Sequence, residues 1–244
     1  MLHDKVIVVA GGCGLIGRAV VKDIRSKGSS CINFDTAVDG DLDNYSLKCD
    51  ISDYNSVKQS ISEVIARFGR LDGLVNCAYP RTRDFSGRFD EISVESWTKN
   101  VDLQLNSVFY TCFEALKVMK KQKAGSVVNF GSIYGVVGND FNIYENTDMQ
   151  PHAAYTAIKG GVINFTRYLA SYFGKFCIRA NCVSPGGVFD NQSPIFVKQY
   201  SKKCPLNRMA KPEEVAPAVS FLLSDEAGYI TGHNLMVDGG WCAV

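Results

Sequence analysis

Val6-Ile7-Val8-Val9-Ala10 runs directly into Gly11-Gly12-Cys13-Gly14-Leu15-Ile16-Gly17. Five apolar, mostly β-branched residues in a row read as a strand buried on both faces, as in a parallel sheet. The glycines that follow permit a tight turn and a close approach of backbone to whatever lies over it. Leu15 to Lys27 has the apolar spacing of a helix starting at that turn. A helix N-terminus presents free N–H donors and the positive end of the helix dipole. Strand, glycine turn and helix in immediate succession predict a pyrophosphate cradle, with Gly11, Cys13, Gly14, Leu15, Ile16 and Gly17 against it.

The next strand, Cys31 to Phe34, ends at Asp35. A carboxylate there accepts both hydroxyls of an adenosine ribose and repels a 2′-phosphate of about −1.5 to −2 charges. No Lys or Arg occupies the glycine turn or positions 36–40 to reverse that sign, so the reading is NAD rather than NADP. Asp50, in Lys48-Cys49-Asp50-Ile51 after a third strand, is placed to accept from the adenine amino group, with Ile51 beside it. Asn76-Cys77-Ala78 ends the Leu74 to Asn76 strand, where amide and backbone groups are expected along the cofactor ribose.

The alternation continues with helical spacing over Asp53 to Phe68, Val94 to Lys121, Ala153 to Phe173 and Pro212 to Leu223. Strands are expected at Ser126 to Phe130, Ile178 to Val183 and Leu235 to Val237. This predicts a doubly wound, Rossmann-type parallel sheet in a three-layer α/β domain spanning 1–244. Two stretches break the rhythm. Gly138 to Gln150 is rich in Asn, Asp, Tyr and Glu, and Phe189 to Cys204 reads as irregular. Both follow the carboxyl ends of strands, where open α/β sheets bind ligands.

Composition narrows the function classes. With 26 Lys+Arg against 25 Asp+Glu, no basic excess points to nucleic acid or an anionic membrane. Nine scattered cysteines without a Cys-x-x-Cys pair, and three dispersed histidines, suggest neither a disulfide framework nor a metal centre. No apolar run nears the ~20 residues of a membrane span. The N-terminus passes from Met1 straight into a strand, so cytoplasmic residence is expected.

Tyr155 and Lys159 lie four residues apart on a helix and share a face. A free phenol ionises near pH ~10. An ammonium about 4 Å away, at an effective dielectric of ~20, contributes roughly 4 kcal/mol toward the phenolate, enough to make such a group a usable base. The pair would take a proton from an alcohol as hydride leaves carbon, or return it in reverse. Ser132, just past the Ser126 to Phe130 strand, is placed to hold the substrate oxygen.

Glycine turn, Asp35, Asp50, Leu74 to Ala78, Ser132, Tyr155 with Lys159, Asn181 to Gly186, and Thr231-Gly232 through Val237-Asp238-Gly239-Gly240 together resemble the short-chain dehydrogenase/reductase family across essentially the whole chain. The resemblance implies a seven-stranded sheet and homotetramers or homodimers built on the long helices. It also places a nicotinamide beside Tyr155 and Ser132, Lys159 on the nicotinamide ribose, and Pro185, Gly186, Gly187 and Val188 along the cofactor.

Departures are visible. Ala10 stands where the family carries Thr, and Leu15 where it carries Gly. Asn76-Cys77-Ala78-Tyr79 replaces Asn-Asn-Ala-Gly, Gln104 replaces the catalytic Asn of the long helix, and Asp190 replaces a Thr that contacts the carboxamide. The interval from Ser132 to Tyr155 is longer than usual, the excess lying at 138–151. These features resemble a narrower branch of sugar-modifying members associated with flagellin glycosylation and legionaminic acid-like pathways. The expected substrate is a carbohydrate met by Tyr79, Arg81, Tyr144, Asp190 and Asn191. Arg83 and Arg88 join Arg81 as phosphate candidates, with Asn139, Asp140, Asn142, Glu145 and Asn146 at the mouth and 187–205 on the substrate side. A general carbonyl or 3-oxoacyl-thioester reductase, and a catalytically silent dinucleotide-binding protein, are the alternatives.

Overall fold

The computed structural model describes residues 2–85 and 88–244; Met1, where the N-terminal reading begins, lies outside them. Seven strands run β1 Val6–Ala10, β2 Ser30–Asp35, β3 Ser46–Lys48, β4 Gly73–Asn76, β5 Gly125–Phe130, β6 Ile178–Pro185 and β7 Asn234–Val237. The helices are α1 Leu15–Ser26, α2 Tyr54–Phe68, α3 Val94–Val101, α4 Ser107–Gln122, α5 Ala153–Phe173, α6 Pro194–Lys203 and α7 Pro212–Leu223. The sheet order is β3-β2-β1-β4-β5-β6-β7, and every pairing is parallel.

The all-apolar β1 divides its residues between two cores. Val6, Val8 and Ala10 face a layer containing residues of α2, α4 and α5, while Ile7 and Val9 face α1 and α7. Covering both faces is what demands an unbroken apolar run. Strand order reverses between β1 and β4, whose ends pair Ala10 with Asn76. That switch point opens the crevice in which such sheets bind ligands.

Two expectations are corrected here. The helix read as continuous from Val94 to Lys121 is interrupted at Asp102–Asn106 by a π-helical turn that carries Gln104. Such turns keep helical spacing while shifting the face a residue occupies, which is why periodicity alone hides them. The stretch Phe189 to Cys204, read as irregular, contains α6. Pro194 pre-sets its first turn, and Phe196 and Tyr200, four residues apart, are its buried face. A third apolar cluster, with Ile133, Tyr134, Ile143, Phe196 and Tyr200, sits apart from the two sheet cores and packs against Tyr155.

Candidate active site

At the switch point the glycine turn meets the end of β4. A Cβ on Gly11 would lie 2.4 Å from Ala78 Cα, and one on Gly17 would lie 2.0 Å from the Gly11 carbonyl. Gly11 also has φ +85°, a conformation that glycine tolerates best. Gly14, at the N-cap of α1, has no side chain to cover the first N–H groups of the helix. Gly11 and Gly14 N–H close the turn on the Phe34 and Gly11 carbonyls, which leaves the first N–H groups of α1 without a side-chain cap. Asp35 completes it: one carboxylate oxygen accepts from Cys13 N–H at 2.9 Å and the other from Ala37 N–H at 3.0 Å.

A cleft of about 800 Å³ follows from this cradle. It is lined by Gly11, Cys13, Gly14, Leu15, Ile16, Gly17, Asp35, Asp50, Ile51, Cys77, Ala78, Tyr79, Arg81, Tyr155, Lys159, Pro185, Gly186, Val188 and Asp190, all named from sequence. Residues that sequence reasoning missed also line it, including Arg18, Thr36, Ala37, Phe130, Gly131 and Gln192. Thr36 and Ala37 were signalled by adjacency to Asp35. Phe130 and Gly131 carry no polar cue and reach the cleft only because β5 ends beside β4.

At the far end from Asp35, Tyr155 projects from the first turn of α5. Lys159 Nζ stands 5.5 Å from its ring centroid and donates to the Phe130 carbonyl at 2.9 Å. Tyr79 packs edge-on against Tyr155, with centroids 5.5 Å apart, and the Arg81 guanidinium rests 4.9 Å from the Tyr79 ring centre. Burial pushes the Tyr79, Tyr134 and Tyr144 phenols up, with Tyr155 a further raising influence on each, so all three stay neutral donors. The Cys77 thiol, also buried, is pushed up to about 12 despite the opposing charge of Lys159.

Several expected residues lie elsewhere. Asn76 is turned into the interior, donating to Asn129 Oδ1 at 2.9 Å and accepting from Thr111 Oγ1 at 2.7 Å. With Asn129 donating to Thr166, it ties β4, α4, β5 and α5 together rather than lining a ribose. Ser132 is 5% exposed, next to the cleft-lining Gly131, and its Oγ accepts from Tyr134 N–H at 3.2 Å. Gly187 N–H donates to the Tyr200 hydroxyl, away from the cleft. Asn191 holds a left-handed turn beside Asp190. Gln104 is 4% exposed, with neither amide atom partnered and no bond to Lys159.

The polar insertion is also used differently from its sequence reading. Asn139 accepts from Thr156, Asp140 pairs with Lys203, and Asn142, Glu145 and Asn146 are exposed outside the cleft lining. Asn139 and Asp140 stitch the loop down, Asp140 also accepting from Asn142 N–H. Ile143 is buried in the third apolar cluster, and Tyr144 is half-buried against it, outside the cleft lining, its hydroxyl donating to Tyr134 Oη at 3.3 Å. Arg83 is exposed and does not line the cleft, and Arg88 pairs with Asp90 and Glu91.

His152, at the N-cap of α5, packs on Phe85 with centroids 4.6 Å apart, and its Nδ1 is buried without a partner. Burial first, and the Arg81 charge second, lower its pKa to about 4. Between about pH 6.5 and that value the unfolded chain takes up a proton that the folded chain refuses. This contribution to stability is complete above about pH 6.5 and is lost as pH falls toward 4. The thermal midpoint of His152→Gln is therefore expected to fall less steeply than wild type across that window. Parallel melting curves would refute it.

A family model described as Enoyl-(Acyl carrier protein) reductase matches residues 16–242. The chain belongs to the short-chain dehydrogenase/reductase family. As such it is an oxidoreductase that uses a nicotinamide cofactor and acts on CH–OH or carbonyl groups. It is 35% identical to the post-translational flagellin modification protein A of Campylobacter coli, over 99% of both chains. It is 36% identical to a human 3-oxoacyl-[acyl-carrier-protein] reductase, covering 97% of this chain and 98% of that one. A short-chain dehydrogenase from Leptospira borgpetersenii with bound NAD+ superposes with a TM-score of 0.89 at 33% identity, covering 98% of this chain and 93% of its own. Among the described residues, no helix of this dehydrogenase is long and apolar enough to cross a membrane.

Proposed function

We propose that this chain is an NAD(H)-dependent dehydrogenase or reductase of a small polar alcohol or ketone, with a sugar or sugar phosphate as substrate. The carrying observation is a single cleft running from the Asp35-closed glycine turn to Tyr155 and Lys159. The cradle fits a dinucleotide: the turn excludes side chains, and the Asp35 carboxylate is oriented by Cys13 and Ala37 N–H groups. Gly11 to Gly17 hold the pyrophosphate, Asp35 the adenosine ribose, Asp50 and Ile51 the adenine, and Cys77, Ala78, Pro185, Gly186 and Val188 the remaining length. Asp190 accepts from the carboxamide.

The nicotinamide supplies or accepts hydride when bound. Tyr155 moves the proton at the substrate oxygen, the Lys159 ammonium stands beside its ring, and the Ser132 hydroxyl, whose Oγ accepts from Tyr134 N–H, keeps its own O–H to donate to that oxygen. Gln104 acts through ordered water, since its buried amide has no protein partner. Tyr79, Arg81, Tyr144 and Asn191 border the substrate. The neutral Tyr144 and Tyr79 hydroxyls suit hydroxyl-rich ligands, and Arg81 suits an anionic substituent. The full-length likeness to the flagellin modification protein supports this reading.

The equally full-length likeness to 3-oxoacyl-thioester reductase supports the second reading. Aldohexoses, hexosamines and their phosphates with NAD+, assayed beside acetoacetyl-CoA with NADH, separate the two. Turnover confined to the thioester ends the sugar reading.

The Phe109, Phe113, Tyr168 and Tyr172 rings form an exposed stripe along α4 and α5. Self-association through it, as a homodimer or homotetramer in the cytoplasm, completes the proposal.

A further inference from the structure

The insertion at 138–151 is joined to α6 by one side chain more than by any other. Gln199 Nε2 reaches three backbone carbonyls, those of Glu145 at 2.9 Å, Ile143 at 3.3 Å and Asn142 at 3.4 Å. These carbonyls flank Tyr144, which is half-buried against the same third apolar cluster as Tyr155. Phe196, Gln199, Tyr200 and Lys203 fall at i, i+3, i+4 and i+7, a single stripe of α6. Phe196 packs on the Tyr144 ring, with centroids 5.3 Å apart, and Lys203 pairs with Asp140. The Lys203 side chain is 49% exposed, and such surface pairs contribute little. Tyr200 meanwhile accepts from Gly187 N–H, next to the cleft-lining Gly186. One turn of α6 thus touches both the cofactor segment and the insertion.

We propose that Gln199 is a positioning residue for the reaction, holding the insertion so that the Tyr144 phenol is presented to substrate beside Tyr155. The proposal rests on Tyr144 bordering the substrate, as assigned above. It makes Gln199 act through Tyr144 and through nothing else.

A double-mutant cycle tests this, run on whichever compound of the sugar and acetoacetyl-CoA panel is turned over. Gln199→Leu keeps the bulk and removes the donor. It is expected to raise KM about tenfold with kcat within about threefold, leaving the NADH dissociation constant unchanged. Tyr144→Phe should raise KM similarly, and in its background Gln199→Leu should add less than about threefold. Gln199→Lys, which restores a donor of similar reach, should recover KM to within about threefold of wild type.

Independent effects that multiply to about a hundredfold would overturn the proposal, as would an unchanged KM in Tyr144→Phe. Hydrogen exchange in the NADH complex adds a readout free of substrate. Amides 142–146 should exchange about tenfold faster in Gln199→Leu, and equal rates would also overturn it. Because the cycle uses any compound turned over, thioester activity would end the sugar reading while leaving the Gln199 result decisive.

Discussion

Tyr155→Phe is expected to lower kcat/KM by about a thousandfold while NADH binds within about threefold of wild type. Only the hydroxyl is lost. The ring keeps its edge contact with Tyr79 at 5.5 Å and its place against the third apolar cluster. Binding and folding should therefore survive while the proton at the substrate oxygen loses its carrier. Fluorescence titration with NADH and steady-state rates on the same preparations separate the two effects. Normal rates in the variant would remove Tyr155 from the scheme. A wild-type protein that binds NADH yet turns over nothing in the panel would favour the silent, dinucleotide-binding alternative.

The second large effect concerns cofactor choice. Asp35 is held by Cys13 and Ala37 N–H groups, and on the proposed assignment a 2′-phosphate would sit beside it. At about 5 Å and an effective dielectric of ~20, a carboxylate and a phosphate of about −1.75 charges repel by roughly 6 kcal/mol. Solvent and salt at the open cleft reduce this to about half, equivalent to about a hundredfold in affinity. Asp35→Ser is therefore expected to narrow the NADH-over-NADPH preference about a hundredfold. Most of the change should come as tighter NADPH binding, because Arg18 lines the same cleft and is then unopposed. Parallel titrations with the two reduced cofactors measure it. Unchanged discrimination would mean that Asp35 is not the group that reads the ribose.

What could be read from the chain alone shares one property: its parts are contiguous. The unbroken Val6–Ala10 run, the glycines behind it, the acidic end of β2 and the i, i+4 pair on α5 each express a local rule, so fold and cleft lining followed from them. Where side chains had to choose between a ligand and a distant neighbour, sequence offered no way to weigh the two. The Asn76 side chain serves Asn129 and Thr111, and the Tyr200 hydroxyl takes the Gly187 N–H. The polar insertion spends Asn139 on Thr156 and Asp140 on Lys203.

Periodicity had a second blind spot. The π-helical turn at Asp102–Asn106 spans five residues and α6 only ten, too few for spacing alone to separate them from helix or loop. The sequence by itself determined a parallel sheet with a dinucleotide turn and a tyrosine–lysine pair at its open end. The tertiary structure decided which polar groups face the cleft, because burial makes every unpaired donor or acceptor costly and each side chain settles on the partner that packing brings nearest.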